Sequence, residues 1–374
     1  MDFNLTDEQQ LLRDGITRFL GSRYNLEASR AAAKTGAGWQ PEIWRALASE
    51  LGILGATLPE EVGGIGGGAT ELMIIAEALG HALVIEPYVD AVVVAGGLLH
   101  RAGGPTANGV LEQLIAGTAV VALAATEADS GERWQDATTL VRPDGDGWVL
   151  SGGKIMVLGA PLATHLLITA RIEGTDGLSL FLVDSDAPGI QTHPYRTIDD
   201  RSAADIAFDG VRLAGTALLG EPGGAWPSVA RARDEGAAAI CAEAVGCMRK
   251  VLADTVEYCK QRQQFGQPIG SFQVLQHRMV DMYMEVEQSV AAVYLAVLNL
   301  DADQATRARA VSAAKATIGR AARMIGQQSV QLHGGMGMTE ELAIGHYFKR
   351  LTAIQYEFGT TDYHLARYAE LTRP

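Results

Sequence analysis

The spacing of apolar residues changes twice along the chain, and this order constrains the fold more than any other feature. Residues 1 to about 118 carry apolar side chains at the three- and four-residue spacing of helices. Between about 120 and 219, apolar residues alternate in short runs separated by Asp-Gly, Pro-Gly and Gly-Gly, which is typical of antiparallel strands. From Trp226 onward, helical spacing returns in long segments rich in Ala and Met. We therefore predict a mainly α-helical protein with a central β domain, divided into domains at 1–118, 119–225 and 226–374.

Individual helices can be placed within this order. Thr6 is a candidate N-cap for a first amphipathic helix, and a second helix is expected to begin near Pro41. A long helix is expected from about Ala69 to Gly80. The tracts Gly236–Cys259 and Gln273–Leu300 are apolar over more than half of their circumference. Helices of that kind are buried between neighbours, so we expect a bundle that also packs against another subunit.

Charge and composition exclude several classes of protein. The formal net charge of the 374 residues is −14, whereas a nucleic-acid-binding protein usually has a basic surface. No apolar run reaches the roughly 20 residues of a membrane-spanning helix, and the first residues lack the pattern of a secretory signal. The three cysteines, Cys241, Cys247 and Cys259, form no Cys-x-x-Cys pair, so no metal site is expected. An odd cysteine count fits a reducing compartment, and we expect a cytoplasmic protein.

Three motifs in this order identify a family. They are Leu150-Ser-Gly-Gly-Lys154, Arg262-Gln-Gln-Phe-Gly-Gln-Pro-Ile-Gly270 and Gln331-Leu-His-Gly-Gly-Met-Gly337. Together they resemble the acyl-CoA dehydrogenase family over essentially the whole chain. The resemblance implies an N-terminal helical domain, a middle antiparallel β-barrel and a C-terminal four-helix bundle. It also implies an enzyme that uses FAD to oxidise an acyl-CoA to the trans-2-enoyl-CoA and passes the electrons to an electron-transfer flavoprotein.

The resemblance assigns several residues to the cofactor. Arg suits a pyrophosphate because its planar fork donates two parallel hydrogen bonds and stays charged. Arg262 would bind the pyrophosphate of FAD, and Phe265 would pack near its adenosine part, in a site shared with a neighbouring subunit. The other residues assigned to cofactor binding are Gln273, Gln331, Gly335 and Thr126. The alternative readings are a solvated cation at a helix end for Arg262 and an ordinary tight turn for the glycines.

The catalytic base departs from the family pattern. Many members place a glutamate directly before Gly-Thr in the last quarter of the chain, where this sequence has Phe358. Glu357 is one residue off, which on a helix turns it by about 100°. A subset of the family supplies the base from the first long helix of the bundle, at the position of Gly236. Glu243 is the preferred candidate and Glu235 the alternative. Glu243 lies in an apolar run, and burying an unpaired carboxylate there is energetically unfavourable. Either a catalytic role or a buried salt bridge would explain its presence.

The β domain and the tail also depart from the family. Met156 and Leu158 replace the usual aromatic shield and hydroxyl near the flavin. The tail from Phe358 to Arg367 resembles the small subunits of acyl-CoA dehydrogenases built from two unlike chains, such as pimeloyl-CoA dehydrogenase. The partners implied are an acyl-CoA, whose acyl group is fatty, dicarboxylic or steroid, and either identical chains or a larger dehydrogenase subunit in a tetramer.

Three functions follow from these observations. The first is an acyl-CoA dehydrogenase subunit, and the second is a non-catalytic partner that completes the flavin site of a larger chain. The third is a relative of the flavin monooxygenases and nitroalkane oxidases, which would need a flavin accessible to oxygen.

Overall fold

A computed structural model describes residues 4–35 and 37–373 of the chain. In chain order its α-helices are α1 (Asp7–Arg23), α2 (Leu26–Lys34), α3 (Pro41–Ser49), α4 (Ala69–His81), α5 (Gly97–Ala102), α6 (Gly104–Ile115), α7 (Trp226–Gln261), α8 (Gln273–Val297), α9 (Gln304–His333), α10 (Ala343–Ile354) and α11 (Thr361–Thr372). The strands are β1 (Val121–Ala124), β2 (Leu140–Asp144), β3 (Gly147–Leu158), β4 (His165–Ile172), β5 (Ser179–Asp184), β6 (Ile190–Arg196), β7 (Ser202–Ala214), β8 (Leu218–Leu219), β9 (Gln263–Gln264) and β10 (Gln267–Pro268). The predicted order of helical, β and helical segments is confirmed.

The helices begin where their sequence signals predict. The Thr6 hydroxyl accepts the N–H of Gln9 at 3.2 Å, and the Gln9 side chain accepts the N–H of Thr6 at 3.1 Å. This reciprocal pair satisfies two of the N–H groups that a helix start leaves without an intrahelical partner. Helix α3 begins at Pro41, whose fixed φ suits the first helical turn. The predicted cap and the helix start at Pro41 are confirmed, but this helix is the third and not the second, because α2 precedes it.

The chain forms two compact units. One unit comprises the described residues up to Glu27, together with Ala69–Val84 and the residues from Ala237 on. The other comprises Ala28–Gly68, as far as it is described, and Ile85–Gly236. The three domains predicted at 1–118, 119–225 and 226–374 follow the order of the chain, whereas each compact unit gathers distant segments. The three-domain division stays a prediction.

The second unit contains the β-sheet. Its strands run β6-β7-β3-β2-β4-β5-β8, with β1 beside β4. Most neighbours are antiparallel, as predicted, but β1 and β2 both lie parallel to β4. Parallel neighbours need long connections instead of hairpins, and the connections from β1 and β2 to β4 are long. One face of the sheet packs into a core that includes Leu150, Phe181 and Val211.

The first unit contains the helical bundle. Helix α9 lies centrally and packs against α8, α10 and α11. Its Ala- and Gly-rich side, including Ala314, Gly319 and Ala322, is buried, because small side chains let the neighbouring helices approach closely. The predicted helical tracts at 236–259 and 273–300 are confirmed by α7 and α8.

Helices α4 and α7 cross at two glycines. A Cβ atom built on Gly80 would lie 2.0 Å from the carbonyl oxygen of Glu243, and one on Gly246 would lie 1.9 Å from that of Glu77. The Cys247 thiol lies 3.1 Å from the carbonyl oxygen of Gly80. The backbones therefore touch at this crossing. Among the helices described, none combines the length and the apolar character needed to cross a membrane.

Candidate functional site

The Arg262 motif forms a tight hairpin at the end of α7. The N–H of Arg262 donates to the Tyr258 carbonyl at 2.8 Å, and β9 and β10 pair across Phe265 and Gly266. Both turn residues have positive φ, 53° and 79°, the conformation of a type I′ hairpin that normally selects Asn or Gly. Phe265 is nevertheless present and is 90% exposed. A bulky residue held in this conformation points to a role outside the fold of its own chain.

The two C-terminal motifs meet in space. The rings of Tyr258 and His333 stack with centroids 4.3 Å apart, and the Tyr258 hydroxyl donates to the His333 carbonyl at 3.3 Å. This contact joins the end of α7, which leads into Arg262, to the end of α9, which leads into Gly335. The sequence did not predict this contact, because its partners are 75 positions apart.

The residues around this junction fit an anionic dinucleotide. Arg262, Gln331 and Gln273 are exposed and supply a guanidinium and two amides. Gly335 is exposed, and a Cβ built on it would meet nothing within 4 Å, so its backbone is open to a ligand. Exposed Phe265 adds an aromatic face. A cationic fork, amide donors and open backbone are the groups that the pyrophosphate and adenosine of FAD need.

Thr126 lies in the second unit, beside β3. Its carbonyl accepts the N–H of Ile155 at 2.9 Å. The next residue, Glu127, is buried and pairs with the Lys154 ammonium at 2.6 Å. Burial alone would raise the pKa of Glu127, but hydrogen bonds from Lys154 and Thr138 outweigh it and hold that pKa at about 2. This ion pair fixes the Thr126 segment against β3.

Both candidate bases are bound to arginines. Glu243 is 4% exposed, and its Oε1 lies 2.6 Å from Nε of buried Arg350, which also donates from both terminal nitrogens to Glu357. Glu235 accepts from Nη1 of Arg101 at 2.9 and 3.0 Å and from Nε of Arg231 at 2.9 Å. The salt bridge that the sequence offers as one explanation of Glu243 is therefore present. The roles of Glu243 and Glu235 as bases stay predictions.

The turn around Phe358 is held by buried polar groups. Phe358 has φ 57° and Gly359 has φ 118°. The buried Lys315 ammonium donates to the carbonyls of Ile354 and Gly359, each at 2.9 Å. Ring nitrogen Nε2 of buried His364 lies 3.2 Å from the Phe358 carbonyl oxygen. The backbone of this turn, which we call the Phe358 turn (354–359), is thus fixed by side chains outside it.

Sequence reasoning missed the groups that hold these segments. Lys315 and Arg350 come from α9 and α10, and no local pattern distinguishes them from exposed helix cations. His364 lies in the tail motif, but the motif did not predict its contact with the Phe358 carbonyl. Asp205, which accepts the Met156 N–H of β3, and Tyr195, which donates to Asp205, belong to no motif.

The sequence matches the three domain profiles of one family in order. The acyl-CoA dehydrogenase N-terminal domain matches residues 6–118, the middle domain 122–211 and the C-terminal domain 224–371. Acyl-CoA dehydrogenase FadE12 of Mycobacterium tuberculosis is 30% identical over 355 residues, covering 91% of this chain and 89% of that protein.

Two solved structures share the whole fold. A chain of the ChsE4-ChsE5 complex from Mycobacterium tuberculosis superposes with a TM-score of 0.91 at 26% identity, over 100% of both chains. A chain of a variant of the Tcur3481-Tcur3483 steroid ACAD superposes with a TM-score of 0.88 at 29% identity, over 98% of this chain and 97% of that one. The chain therefore belongs to the acyl-CoA dehydrogenase family of FAD-dependent enzymes.

Proposed function

We propose that the chain is a subunit of an acyl-CoA dehydrogenase that converts an acyl-CoA into its trans-2-enoyl-CoA. The α-carbon loses a proton and the β-carbon a hydride, and the two electrons pass on to an electron-transfer flavoprotein. Bound FAD supplies the hydride acceptor for this reaction. The observation that carries the proposal is the junction of Tyr258 with His333, which brings the Arg262 hairpin and the Gly335 turn together as an exposed, cationic and open surface.

In this proposal the chain supplies residues to flavin sites that it shares with a neighbouring subunit. Arg262 binds the pyrophosphate, Phe265 packs on the adenosine part, and the amides of Gln273 and Gln331 and the backbone of Gly335 add hydrogen bonds. Thr126, fixed by the Glu127–Lys154 pair, contributes from the β domain.

The cofactor role is tested by the FAD content of the purified assembly. Arg262→Ala should lower bound FAD at least about tenfold, and Arg262→Lys should restore it only in part, because Lys keeps the charge but loses the bidentate fork. Lys260→Ala is the matched control, since Lys260 is an exposed cation two residues away. Wild-type FAD content in Arg262→Ala would remove Arg262 from the site.

The proposed base, Glu243, is tested by separating turnover from stability. If Glu243 takes the α-proton, Glu243→Gln abolishes turnover while FAD and acyl-CoA binding persist. If Glu243 only neutralises Arg350, the same variant lowers the melting temperature, and the folded fraction keeps its turnover. Glu235→Gln gives the same comparison for the alternative base. CoA esters of fatty, dicarboxylic and steroid side-chain acids should each be assayed.

A second candidate is a partner subunit that completes the flavin site of a larger acyl-CoA dehydrogenase chain. The arginine pairs of Glu243 and Glu235 favour it, because both candidate bases are already bound to cations. Both structural neighbours described above are complexes named for two proteins. The chain should be purified alone and together with a second acyl-CoA dehydrogenase chain of the same organism. Yellow colour and turnover that appear only in the pair support the partner role; both from the chain alone rule it out.

The monooxygenase or oxidase alternative is tested with the same preparation. A dehydrogenase should reduce an artificial electron acceptor faster than it forms hydrogen peroxide in air. Peroxide formation that exceeds acceptor reduction would favour an oxygen-using relative.

A further inference from the structure

Strand β3 has a bulge at Met156. Its pairing with β7 shifts register between Lys154 and Val157, and Met156 takes a φ of 54°. A left-handed conformation at a non-glycine residue is unfavourable and persists only where the surroundings enforce it. The Met156 side chain gains no burial in return, since it is 53% exposed. Bulges of this kind re-aim a side chain and concentrate next to functional sites.

One carboxylate enforces the bulge. Oδ1 of Asp205, on β7, accepts the N–H of Met156 at 3.0 Å and the hydroxyl of Tyr195, on β6, at 2.9 Å. Burial, with the neighbouring Asp205 carboxylate, raises the pKa of Tyr195 to about 12. The phenol therefore stays protonated and keeps donating at physiological pH. Three strands are thus joined through a single carboxylate oxygen.

The bulge borders a cavity of the β unit. The cavity has a volume of about 260 Å³, and its walls include Asp205, Ile155 and Glu127. Ile155 also donates its N–H to Thr126 at 2.9 Å. Asp205, the bulge and the Thr126 segment therefore lie together around one opening.

We propose that Asp205 is a positioning residue for the flavin: with Tyr195 it locks the Met156 bulge, so that β3 keeps the conformation on which the flavin docks. The inference rests on the use of FAD by this chain and assigns a role to two residues outside the family motifs. A contact needed only for strand pairing would not require an exposed side chain, a left-handed backbone and an adjoining cavity.

The test compares variants at this carboxylate in the assembled protein. Asp205→Ala removes both hydrogen bonds, Asp205→Asn keeps an acceptor oxygen for the Met156 N–H, and Tyr195→Phe removes one donor. Asp209→Ala, at an exposed position on the same strand, is the control. Apoprotein is titrated with FAD, flavin absorption is recorded between 350 and 500 nm (about the range of its two bands), and the melting temperature of the apoprotein is measured.

We expect Asp205→Ala to raise the Kd for FAD about tenfold, which is the scale of one lost hydrogen bond. The shape of the flavin bands should change as well. Tyr195→Phe should give a smaller change, and Asp205→Asn should recover most of the affinity. An unchanged Kd and spectrum in Asp205→Ala would overturn the inference. Loss of FAD only in proportion to the unfolded fraction would overturn it as well. Failure of the proposed function looks different: the wild-type assembly would then either bind no FAD or bind FAD without reducing it with an acyl-CoA.

Discussion

Phe265 combines an unfavourable backbone conformation with an exposed aromatic ring. A substitution at this position can therefore favour folding while it weakens binding. Asn tolerates positive φ better than Phe does, so Phe265→Asn should keep or slightly raise the melting temperature. The same change removes the ring proposed to pack on the adenosine part of FAD. We therefore expect the FAD Kd to rise about tenfold without loss of stability, measured by titration and by thermal melts. A fall in stability with FAD affinity unchanged would contradict this role.

The Glu127–Lys154 pair makes the β unit sensitive to acid. The pKa of Glu127 is about 2 in the folded protein against an ordinary value of 4.5. Because the folded pKa is depressed, the stabilisation is complete above about pH 4.5 and is lost as the pH falls towards 2. Its size is on the order of 3 kcal/mol. Glu127→Gln should lower the melting temperature at pH 7 and flatten its decline between pH 5 and 3.

A control for this prediction lies on the same sheet. Glu173 pairs with Arg142 on the surface, where both side chains are more than half exposed. Exposed pairs contribute little, so Glu173→Gln should leave the acid profile unchanged. A profile of Glu127→Gln identical to that of the wild type would show that the buried pair does not control acid stability.

At the scale of helices, the α4–α7 crossing depends on glycine. A methyl group on Gly246 would overlap the Glu77 carbonyl, and neither backbone can move without separating the helices. Gly246→Ala should therefore destabilise the protein by about 3 kcal/mol or more. Gly15, in α1, has no atom within 4 Å of a built Cβ, so Gly15→Ala should stabilise α1 by about 0.5–1 kcal/mol. Chemical denaturation of both variants tests the contrast.

The elements were predictable where their signals are local. The periodicity of 69–80 and 273–300 located α4 and α8, and Thr6 located the start of α1, because these signals lie within one or two helical turns. The parallel pairing of β1 and β2 with β4 was not predictable, since it depends on long connections. The same holds for the candidate site. Arg262 and Gly335 were predictable because they belong to local motifs, whereas the contact of Glu243 with Arg350 was not, because 107 positions separate them.

At the scale of the whole molecule, α8 presents an apolar stripe. Val280, Met284 and Leu295, with Leu298 directly after the helix, recur at helical spacing and are 46–54% exposed. Exposed apolar surfaces of this kind usually mark protein contacts, as expected for a subunit of a tetramer. Met284→Glu should shift the assembly to smaller species in analytical ultracentrifugation and release FAD. Arg309→Glu, an exposed change on α9, should do neither. An intact assembly in Met284→Glu would place the subunit contact elsewhere.

The Phe358 turn also bears on how such a chain evolves. Lys315 and His364 hold its backbone, and Arg350 binds the Glu357 side chain within it. None of these contacts uses the side chain at position 358. That position can therefore exchange side chains while the loop keeps its shape. After a gene duplication, one copy could lose a catalytic carboxylate here by a single substitution and still fold. The reverse substitution, Phe358→Glu, offers protein engineers an anchored site at which to restore it.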